Sequence, residues 1–301
     1  MSTLVWLVTG CTSGAGLGLV KAIAARGDKV IATGRNASTR LADLKSDSIA
    51  VVDLDITQPL DEIKQIVSDA VAIFGRIDVL VNNAGMSRLS TLEEASEALL
   101  KKLFEVNLFG AIKATQAVLP HMRAAKKGTI VFIGAGLGWV SLPFFMFAEG
   151  LNNEISPQGL RSIIFEPGGF DSNLASSRDK DDPFAHMPQV PEYGELFART
   201  LGRGAGVPPK MSGDINKLPD AIIDVIRGEG LAKGRPFPVR VALGPDSLDV
   251  IRQKCNEQLS LLDEWEDVSL SVMAEGKRET SRWLLDGSSI LNKSGQPPTK
   301  L

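Results

Sequence analysis

A glycine-rich turn close to the start of the chain restricts its fold more than any other feature of the sequence. The segment VTGCTSGAGLG (residues 8–18) carries Gly10, Gly14 and Gly16 and directly follows the apolar run LVWLV (residues 4–8). Apolar residues then recur at helical spacing; they are Leu17, Val20, Ile23 and Ala24. A buried strand, a tight turn and a helix in this order predict the opening unit of an α/β fold.

Strand-like and helix-like segments continue to alternate along the chain. Continuous apolar runs, typical of strands covered on both faces, lie at residues 30–34, 49–55, 77–81, 129–133, 161–165 and 237–243. Helical periodicity occurs between or after them, at residues 63–74, 99–122, 218–227 and 246–265. This alternation predicts a parallel sheet with helices on both faces, joined by right-handed crossovers.

The character of the sequence changes after Pro167. We expect one domain over residues 1–275, with a substrate-side insertion at about 171–213 that is rich in Gly, Pro, Asp and Ser. A weak helical signal lies inside the insertion, near residues 192–201. Residues 276–301 show no sustained period, so we expect a largely disordered C-terminal tail.

Composition excludes several classes of partner. The chain of 301 residues is 44% hydrophobic and 23% charged, which is typical of a soluble protein. Its formal charge of −3 gives no reason to expect nucleic acid or an anionic membrane as a partner. The sequence has neither a signal-peptide pattern nor an apolar run of membrane-spanning length. Since it has only two cysteines, Cys11 and Cys255, we expect a reducing, cytoplasmic environment.

The glycine turn also indicates a ligand. Glycine lets the backbone turn tightly and lets a pyrophosphate approach it, and the N-terminus of the following helix offers unpaired N–H groups to an anion. The turn has the strand before it and the helix after it that a dinucleotide-binding loop requires. We therefore expect the pyrophosphate of a dinucleotide to bind here.

Four motifs in order identify a family resemblance. They are T-G-x-x-x-G-x-G at residues 9–16, NNAG at 82–85, VNLFG at 106–110 and EPGGF at 166–170. Together they resemble the short-chain dehydrogenase/reductase family over about residues 3–265. The resemblance implies a single Rossmann-type domain, a doubly wound parallel α/β sheet of seven strands, and hydride transfer between a nicotinamide cofactor and a carbonyl or alcohol.

The resemblance also assigns cofactor contacts. The phosphate loop would run from Thr9 to Gly18 and include Gly10, Thr12, Ser13, Gly14, Gly16 and Leu17. Asp55 would contact the adenine ring. Asn83 and Ala84, with Gly85, would lie on the ribose side. Phe170 and Ser172 would approach the nicotinamide carboxamide.

Arg35 decides the expected form of the cofactor. It follows the second strand in ATGRN, where an acidic residue would bind the 2′-hydroxyl of NAD. An arginine at this position favours the 2′-phosphate of NADP through charge-assisted hydrogen bonds. A solvated surface arginine is the alternative, but the absent carboxylate disfavours NAD in either case. We expect NADP(H).

The catalytic positions depart from the family pattern. In the family, a tyrosine with a lysine four residues later transfers the proton, a serine holds the substrate oxygen, and an asparagine anchors a water relay. Asn107 matches the asparagine, whereas Ala135 occupies the serine position. The segment FFMFAEGLNNEI (residues 144–155) has neither the tyrosine nor the lysine, as though about ten residues, or roughly 15 Å of helix, were missing.

No other residue is a strong replacement for the absent acid. Tyr193 is the chain's single tyrosine, and no lysine follows it four residues later. We expect it to be a lid contact, Glu149 a helix-surface carboxylate, and Ser141 a turn residue before Pro143. Cys11 fits a small apolar filler better than a redox sensor. The two histidines, His121 and His186, have no metal-ligand pattern around them.

Three hypotheses follow for the function. The first is an NADP(H)-dependent oxidoreductase acting on a small, partly apolar molecule with a degenerate catalytic site. The second is a non-redox protein on the same scaffold, either a pseudoenzyme or an isomerase or cyclase. The third is a mis-spliced version of an active reductase, for which Ala135 is awkward because it lies outside the deletion. In each case the shortened helix should expose Phe144, Phe145 and Phe147 and weaken any homodimer or homotetramer.

Overall fold

A single parallel sheet organises the protein. The structure, a computed structural model, describes residues 2–87, 91–135, 145–170, 190–195 and 212–272. Within them, seven strands pair in the order β3-β2-β1-β4-β5-β6-β7. The strands are β1 (Val5–Val8), β2 (Lys29–Gly34), β3 (Ile49–Asp53), β4 (Val79–Asn82), β5 (Gly128–Ile133), β6 (Leu160–Pro167) and β7 (Arg240–Leu243). The chain winds outward from β1 in both directions, which confirms the prediction of a single-domain, doubly wound Rossmann-type α/β fold.

Helices cover both faces of the sheet. They are α1 (Gly14–Ala25), α2 (Ala37–Arg40), α3 (Leu60–Phe74), α4 (Glu97–Phe104), α5 (Gly110–Ala125), α6 (Phe145–Ile155), α7 (Leu218–Arg227), α8 (Pro245–Glu264) and α9 (Glu266–Leu270). One apolar cluster joins α3, α5 and α6 to the sheet, and a second joins α1 and α7 to its other face. Because both faces are covered, the strands read as continuous apolar runs in the sequence.

The helix expected over residues 99–122 is not regular. It is divided into α4 and α5 by a π-helical segment, Glu105–Phe109, which places one more residue in each turn. Asn107 lies in this segment. π-helical turns are common at functional sites, where they change the direction in which a side chain points.

The helix expected over residues 246–265 forms as α8, but its apolar residues do not pack onto the domain. Every residue from Cys255 to Val272 is exposed. Leu262 and Trp265 are 65% and 55% exposed, respectively. Helical periodicity therefore predicted the element correctly but not its burial, because amphipathicity alone does not say what covers a face.

Several expectations fall on residues outside this description. They include the tail at 276–301, most of the insertion at 171–213, and the side chains of residues 144–147. Near residues 192–201, the structure has a short 3₁₀ helix at Pro191–Tyr193. No helix in the described parts of the chain is both long enough and apolar enough to span a membrane. The domain boundaries and the weakened oligomer stay predictions.

Candidate cofactor and active site

Close packing between two loops explains the first and third glycines of the turn. Gly10 has φ +70°, and a Cβ atom on it would lie 2.7 Å from the Cα atom of Ala84. A Cβ atom on Gly16 would lie 2.5 Å from the carbonyl oxygen of Gly10 and 2.6 Å from Nδ2 of Asn83. Real Cβ atoms do not approach other atoms so closely, so the residue-8–18 turn packs against NNAG only with glycine at both positions.

Hydrogen bonds fix the same two loops. Thr9 is buried, and its Oγ1 accepts from the backbone N–H groups of Asn83 and Ala84, each at 3.0 Å. The Asn83 side-chain amide donates to the carbonyl oxygens of Thr9 at 2.9 Å and Gly10 at 3.2 Å. The sequence-predicted residues Gly10, Gly16, Asn83 and Ala84 therefore form one rigid unit, with Gly85 next to Asn107.

The N-terminus of α1 is prepared for an anion. Ser13 is the N-cap residue in an extended conformation, and its side chain makes no capping hydrogen bond. The first turn contains no acidic residue that would occupy the free N–H groups. Gly14 has φ +57°, and a Cβ atom there would meet nothing within 4 Å. Unpaired N–H groups, a positive helix dipole and open space together suit a phosphate.

Arg35 lies immediately after β2, beside the phosphate loop. Cys11 N–H donates to the carbonyl oxygen of Thr33 at 2.8 Å, and Gly34 approaches Thr12 closely, so the loop and the end of β2 are joined. The Arg35 side chain is exposed and makes no hydrogen bond or ion pair within the described residues. Its guanidinium is thus available to a ligand at this edge of the sheet.

Asp55, expected near the adenine, is held by its own turn. Its Oδ1 accepts from the Thr57 backbone N–H at 2.9 Å and from the Thr57 hydroxyl at 2.7 Å. Partial burial alone would raise the pKa of the Asp55 carboxyl, but these hydrogen bonds and the charge of Arg35 outweigh it and lower the pKa. The carboxylate is therefore ionised at neutral pH and rigidly oriented.

Sequence reasoning missed Asp53, the last residue of β3. Its two carboxylate oxygens accept from the Ser38 backbone N–H at 2.8 Å and from the Ser38 hydroxyl at 2.6 Å. These bonds from Ser38 lower the pKa of Asp53. The strand pairing places Asp53 opposite Gly34, so a negative group lies one strand away from Arg35. No local motif marks it, since the relation depends on β2 and β3 being neighbours.

The turn after β6 carries Phe170, expected near the nicotinamide. Phe170 forms a parallel bridge with Gly213, and Gly213 N–H donates to the carbonyl oxygen of Gly169 at 3.0 Å. Gly213 lies against the Phe170 ring so closely that a side chain there would collide with it. Ser172, the other residue expected at this end, lies outside the described residues.

Asn107 holds the loop that follows NNAG. Its Oδ1 accepts from the Met86 N–H at 2.8 Å, and its Nδ2 donates to the Met86 carbonyl oxygen at 2.9 Å. The side chain is therefore used in fixing the backbone. Ala135 follows β5 and is partly exposed, with no hydroxyl to offer a substrate. Ser141 lies outside the described residues, and the sequence from 135 to 155 contains no tyrosine or lysine.

The two other candidate acids are engaged elsewhere. The Tyr193 hydroxyl donates to Oε2 of Glu93 at 2.7 Å, and this hydrogen bond together with the charge of Glu93 raises the pKa of Tyr193. A catalytic tyrosine needs the opposite shift. Glu149 is ion-paired with Arg240 at 3.0 Å, and Arg240 also pairs with the buried Glu166 at 2.5 Å. Glu149 therefore belongs to an ionic network at β6 and β7.

Cys11 is buried and has an unreactive thiol. Its Sγ donates to the Val8 carbonyl oxygen at 3.0 Å, and burial raises its pKa to about 12. Redox-sensing cysteines need a thiolate, so the structure favours the interpretation of Cys11 as a filler. In the described parts of the chain, no group of three His, Cys, Asp or Glu residues is arranged to hold a metal.

Comparisons with known proteins agree with this geometry. The short chain dehydrogenase family profile matches residues 4–183. An oxidoreductase named BOA17 from Botryotinia fuckeliana is 30% identical, and the match covers 89% of this chain and 99% of that protein. A 3-ketodihydrosphingosine reductase from Bacteroides thetaiotaomicron is 28% identical over 67% of this chain and 76% of its own length.

Solved structures give the same result. A short-chain dehydrogenase from Streptomyces avermitilis has a TM-score of 0.75 and 34% identity, covering 90% of this chain and 98% of its own. A short-chain dehydrogenase from Burkholderia cenocepacia, solved with NADP, has a TM-score of 0.64 and shares the fold at 23% identity, covering 87% of this chain and 97% of its own. The motifs, the seven-stranded parallel sheet and these matches establish that the chain belongs to the short-chain dehydrogenase family.

Proposed function

We propose that this protein binds NADP(H) and acts on the carbonyl or alcohol group of a small, partly apolar molecule, at a rate limited by a degenerate proton-transfer site. The observation that carries the proposal is the N-terminus of α1, where Ser13 makes no side-chain capping hydrogen bond, together with the exposed Arg35, whose guanidinium makes no hydrogen bond or ion pair in the described parts of the chain. Its relatives include proteins named as oxidoreductases, which supports redox chemistry on this scaffold.

The chain's residues fit a dinucleotide in three respects. Gly10 and Gly16 let the phosphate loop pack closely against Asn83 and Ala84, and the space around Gly14 is open. The α1 N-terminus supplies N–H donors for the pyrophosphate. Arg35 supplies a charge-assisted donor for a 2′-phosphate, which NAD lacks. When bound, NADP(H) would supply or accept the hydride.

The negative charge of Asp53 would repel the 2′-phosphate of NADP, but its hydrogen bonds with Ser38 reduce this effect. Each of its oxygens already accepts one hydrogen bond from Ser38, which orients the carboxylate towards the start of α2. Arg35 makes no such bond within the described residues. The balance between the two side chains therefore favours an anionic ribose substituent.

Proton transfer is where this chain differs from an efficient member of its family. Ala135 cannot donate a hydrogen bond to a substrate oxygen, and the raised pKa of Tyr193 makes it a poor general acid. Loss of a positioned general acid costs about 10²–10⁴ in rate, and loss of an oxyanion donor about 10²–10³. The two losses need not multiply, because such groups act as a unit.

Two measurements on the purified protein test the proposal. Calorimetric titration should show NADPH binding and much weaker NADH binding. A panel of ketones and aldehydes should then show slow loss of reduced-nicotinamide absorbance with at least one substrate. Absence of NADPH binding would overturn the proposal. Binding without turnover would favour the second candidate, a non-redox cofactor-binding protein, which the joint absence of serine, tyrosine and lysine specifically supports.

The transcript provides a separate check on the catalytic segment. If the message encodes an additional tyrosine and lysine at the FFMFAEGL junction, this chain is a mis-spliced version of an active reductase. If it encodes the same junction, the degenerate site is a property of the protein.

A further inference from the structure

We propose that Asp246 is a positioning residue that holds the turn at Gly168–Phe170 in place for the nicotinamide end of the cofactor. This inference rests on the proposed function, since it needs NADP(H) to lie along the edge of the sheet with its nicotinamide at this turn. Asp246 lies in the first turn of α8, almost 80 residues after the turn that it contacts.

The carboxylate of Asp246 binds the backbone of the turn directly. Its Oδ2 accepts a short hydrogen bond from the Gly169 N–H. Gly168 approaches the same carboxylate so closely that any side chain at Gly168 would collide with it. Gly168 N–H donates to the carbonyl oxygen of Leu243 at 2.8 Å, which ties the turn to the end of β7. Glycine at position 168 therefore leaves room for the Asp246 carboxylate.

The same carboxylate also holds the chain where it returns from the insertion. Oδ1 of Asp246 accepts from the Ser212 hydroxyl at 3.0 Å. The next residue, Gly213, bonds the carbonyl oxygen of Gly169 and packs under the ring of Phe170. One side chain therefore joins three segments: the turn after β6, residues 212–213 and the start of α8.

The start of α8, which carries Asp246, is bonded firmly to β6. Its neighbour Ser247 is buried, and the Ser247 hydroxyl donates to the carbonyl oxygen of Glu166 at 2.7 Å. Glu166 is itself buried and paired with Arg240 of β7. Partial burial of Asp246 would raise its pKa, but the bonds from Gly169 and Ser212 outweigh it and lower the pKa, so the carboxylate stays ionised.

The position of the contact between Asp246 and Gly169 predicts that its loss would weaken binding of the nicotinamide half of the cofactor and not of the adenosine half. The turn follows β6, whereas the phosphate loop follows β1 and Arg35 follows β2, so the sheet separates Asp246 from the adenosine half by β4 and β5. Loss of the carboxylate would leave the Gly169 N–H without its acceptor and free the turn. The nicotinamide half should lose its contacts while the adenosine half keeps them.

Paired titrations of the full chain measure this selectivity. NADPH probes the whole site, and adenosine 2′,5′-bisphosphate probes the adenosine half alone. For Asp246→Ala we expect NADPH affinity to fall about tenfold or more, because the turn loses the charge-assisted hydrogen bond that holds it in place for the nicotinamide, with unchanged affinity for the bisphosphate. The fluorescence of bound NADPH should also shift towards that of the free cofactor. Asp246→Asn keeps one acceptor oxygen, so its NADPH affinity should lie between those of the wild type and Asp246→Ala.

Asp249→Asn, one turn further along α8 and exposed, is the matched control and should bind both ligands as the wild type does. If Asp246→Ala does not fold, Asp246→Asn and Ser212→Ala give the same comparison. Equal weakening of both ligands, or no weakening of NADPH, would overturn the positioning role alone. A wild-type protein that binds neither ligand would overturn the proposed function and this inference with it.

Discussion

Asn107 and Met86 are joined by two hydrogen bonds, so that the side-chain amide of one residue pairs with both backbone groups of the other. The bonds measure 2.8 and 2.9 Å and connect a π-helical turn to the loop after β4. The family resemblance assigns Asn107 to a water relay, but in this structure its side chain binds the backbone of Met86. It fixes the backbone that borders the phosphate loop.

Asn107→Ala should destabilise the protein because the Met86 N–H and carbonyl groups lose their partners together. Each half-buried group left unsatisfied costs about 1–3 kcal/mol, and partial access to water brings the expected loss towards the lower end. Urea unfolding would measure it. Lys102→Ala, an exposed position on α4, is the control and should change the free energy of unfolding by less than about 0.5 kcal/mol. Equal effects of the two substitutions would contradict the structural role.

Gly16→Ala should be more harmful than Gly14→Ala, although both change a glycine of the same turn. At Gly16 the new Cβ atom would meet the Gly10 carbonyl at 2.5 Å and the Asn83 amide at 2.6 Å, whereas at Gly14 it would meet nothing within 4 Å. Gly14→Ala should cost only backbone strain of about 1–2 kcal/mol, from its positive φ. Thermal unfolding and NADPH titration of the two variants would compare them. A Gly14 variant that is the more damaged of the two would contradict this packing.

Tyr193→Phe should leave any reductase activity unchanged within about twofold, whereas loss of a true general acid costs about 10²–10⁴. The Tyr193 hydroxyl is bonded to Glu93, and that bond raises its pKa away from the range useful for proton donation. Initial rates with the best substrate of the carbonyl panel would measure the effect. Activity that falls a hundredfold while NADPH still binds would identify Tyr193 as the acid after all.

Asp55 should make stability depend on pH in the acidic range. Its pKa is lowered on folding, so the unfolded chain binds the proton more readily. The stabilisation from the Asp55 carboxylate is therefore fully present above the ordinary value of 3.8 and is lost as pH falls through the folded pKa. Urea unfolding of wild type and Asp55→Asn should differ at neutral pH and converge in acid. A difference that grows in acid would contradict the direction of the shift.

How far the sequence predicts the structure depends on how local each feature is. Gly10, Gly14 and Gly16 lie within one turn, so their spacing, with a strand before the turn and a helix after it, indicated a phosphate loop. The strands were predictable because burial on both faces gives long apolar runs, and α1 was predictable from apolar residues at helical spacing. The uncovered side of α8 was not predictable, since a periodic helix in sequence carries no record of what it packs against.

Features that depend on distant segments meeting were missed. Asp246 contacts Gly169 only because β7 pairs with β6, and Asp53 lies near Arg35 only because β3 pairs with β2. The two acids have unremarkable local sequences, DSL at Asp246 and VDL at Asp53, which no motif distinguishes from surface carboxylates. Their importance comes from the order of the strands.

The central claim is that a binding site selective for NADP(H) lies beside a catalytic site that lacks the family's serine, tyrosine and lysine, and Arg35 tests the cofactor half of this claim most directly. Calorimetry should show that Arg35→Ala weakens NADPH binding about 10–100-fold, the loss of a charge-assisted contact, and leaves NADH binding unchanged. Arg40→Ala, an exposed arginine on α2, should change neither. Equal affinity of the wild type for NADPH and NADH, with no effect of Arg35→Ala on either, would contradict the claim.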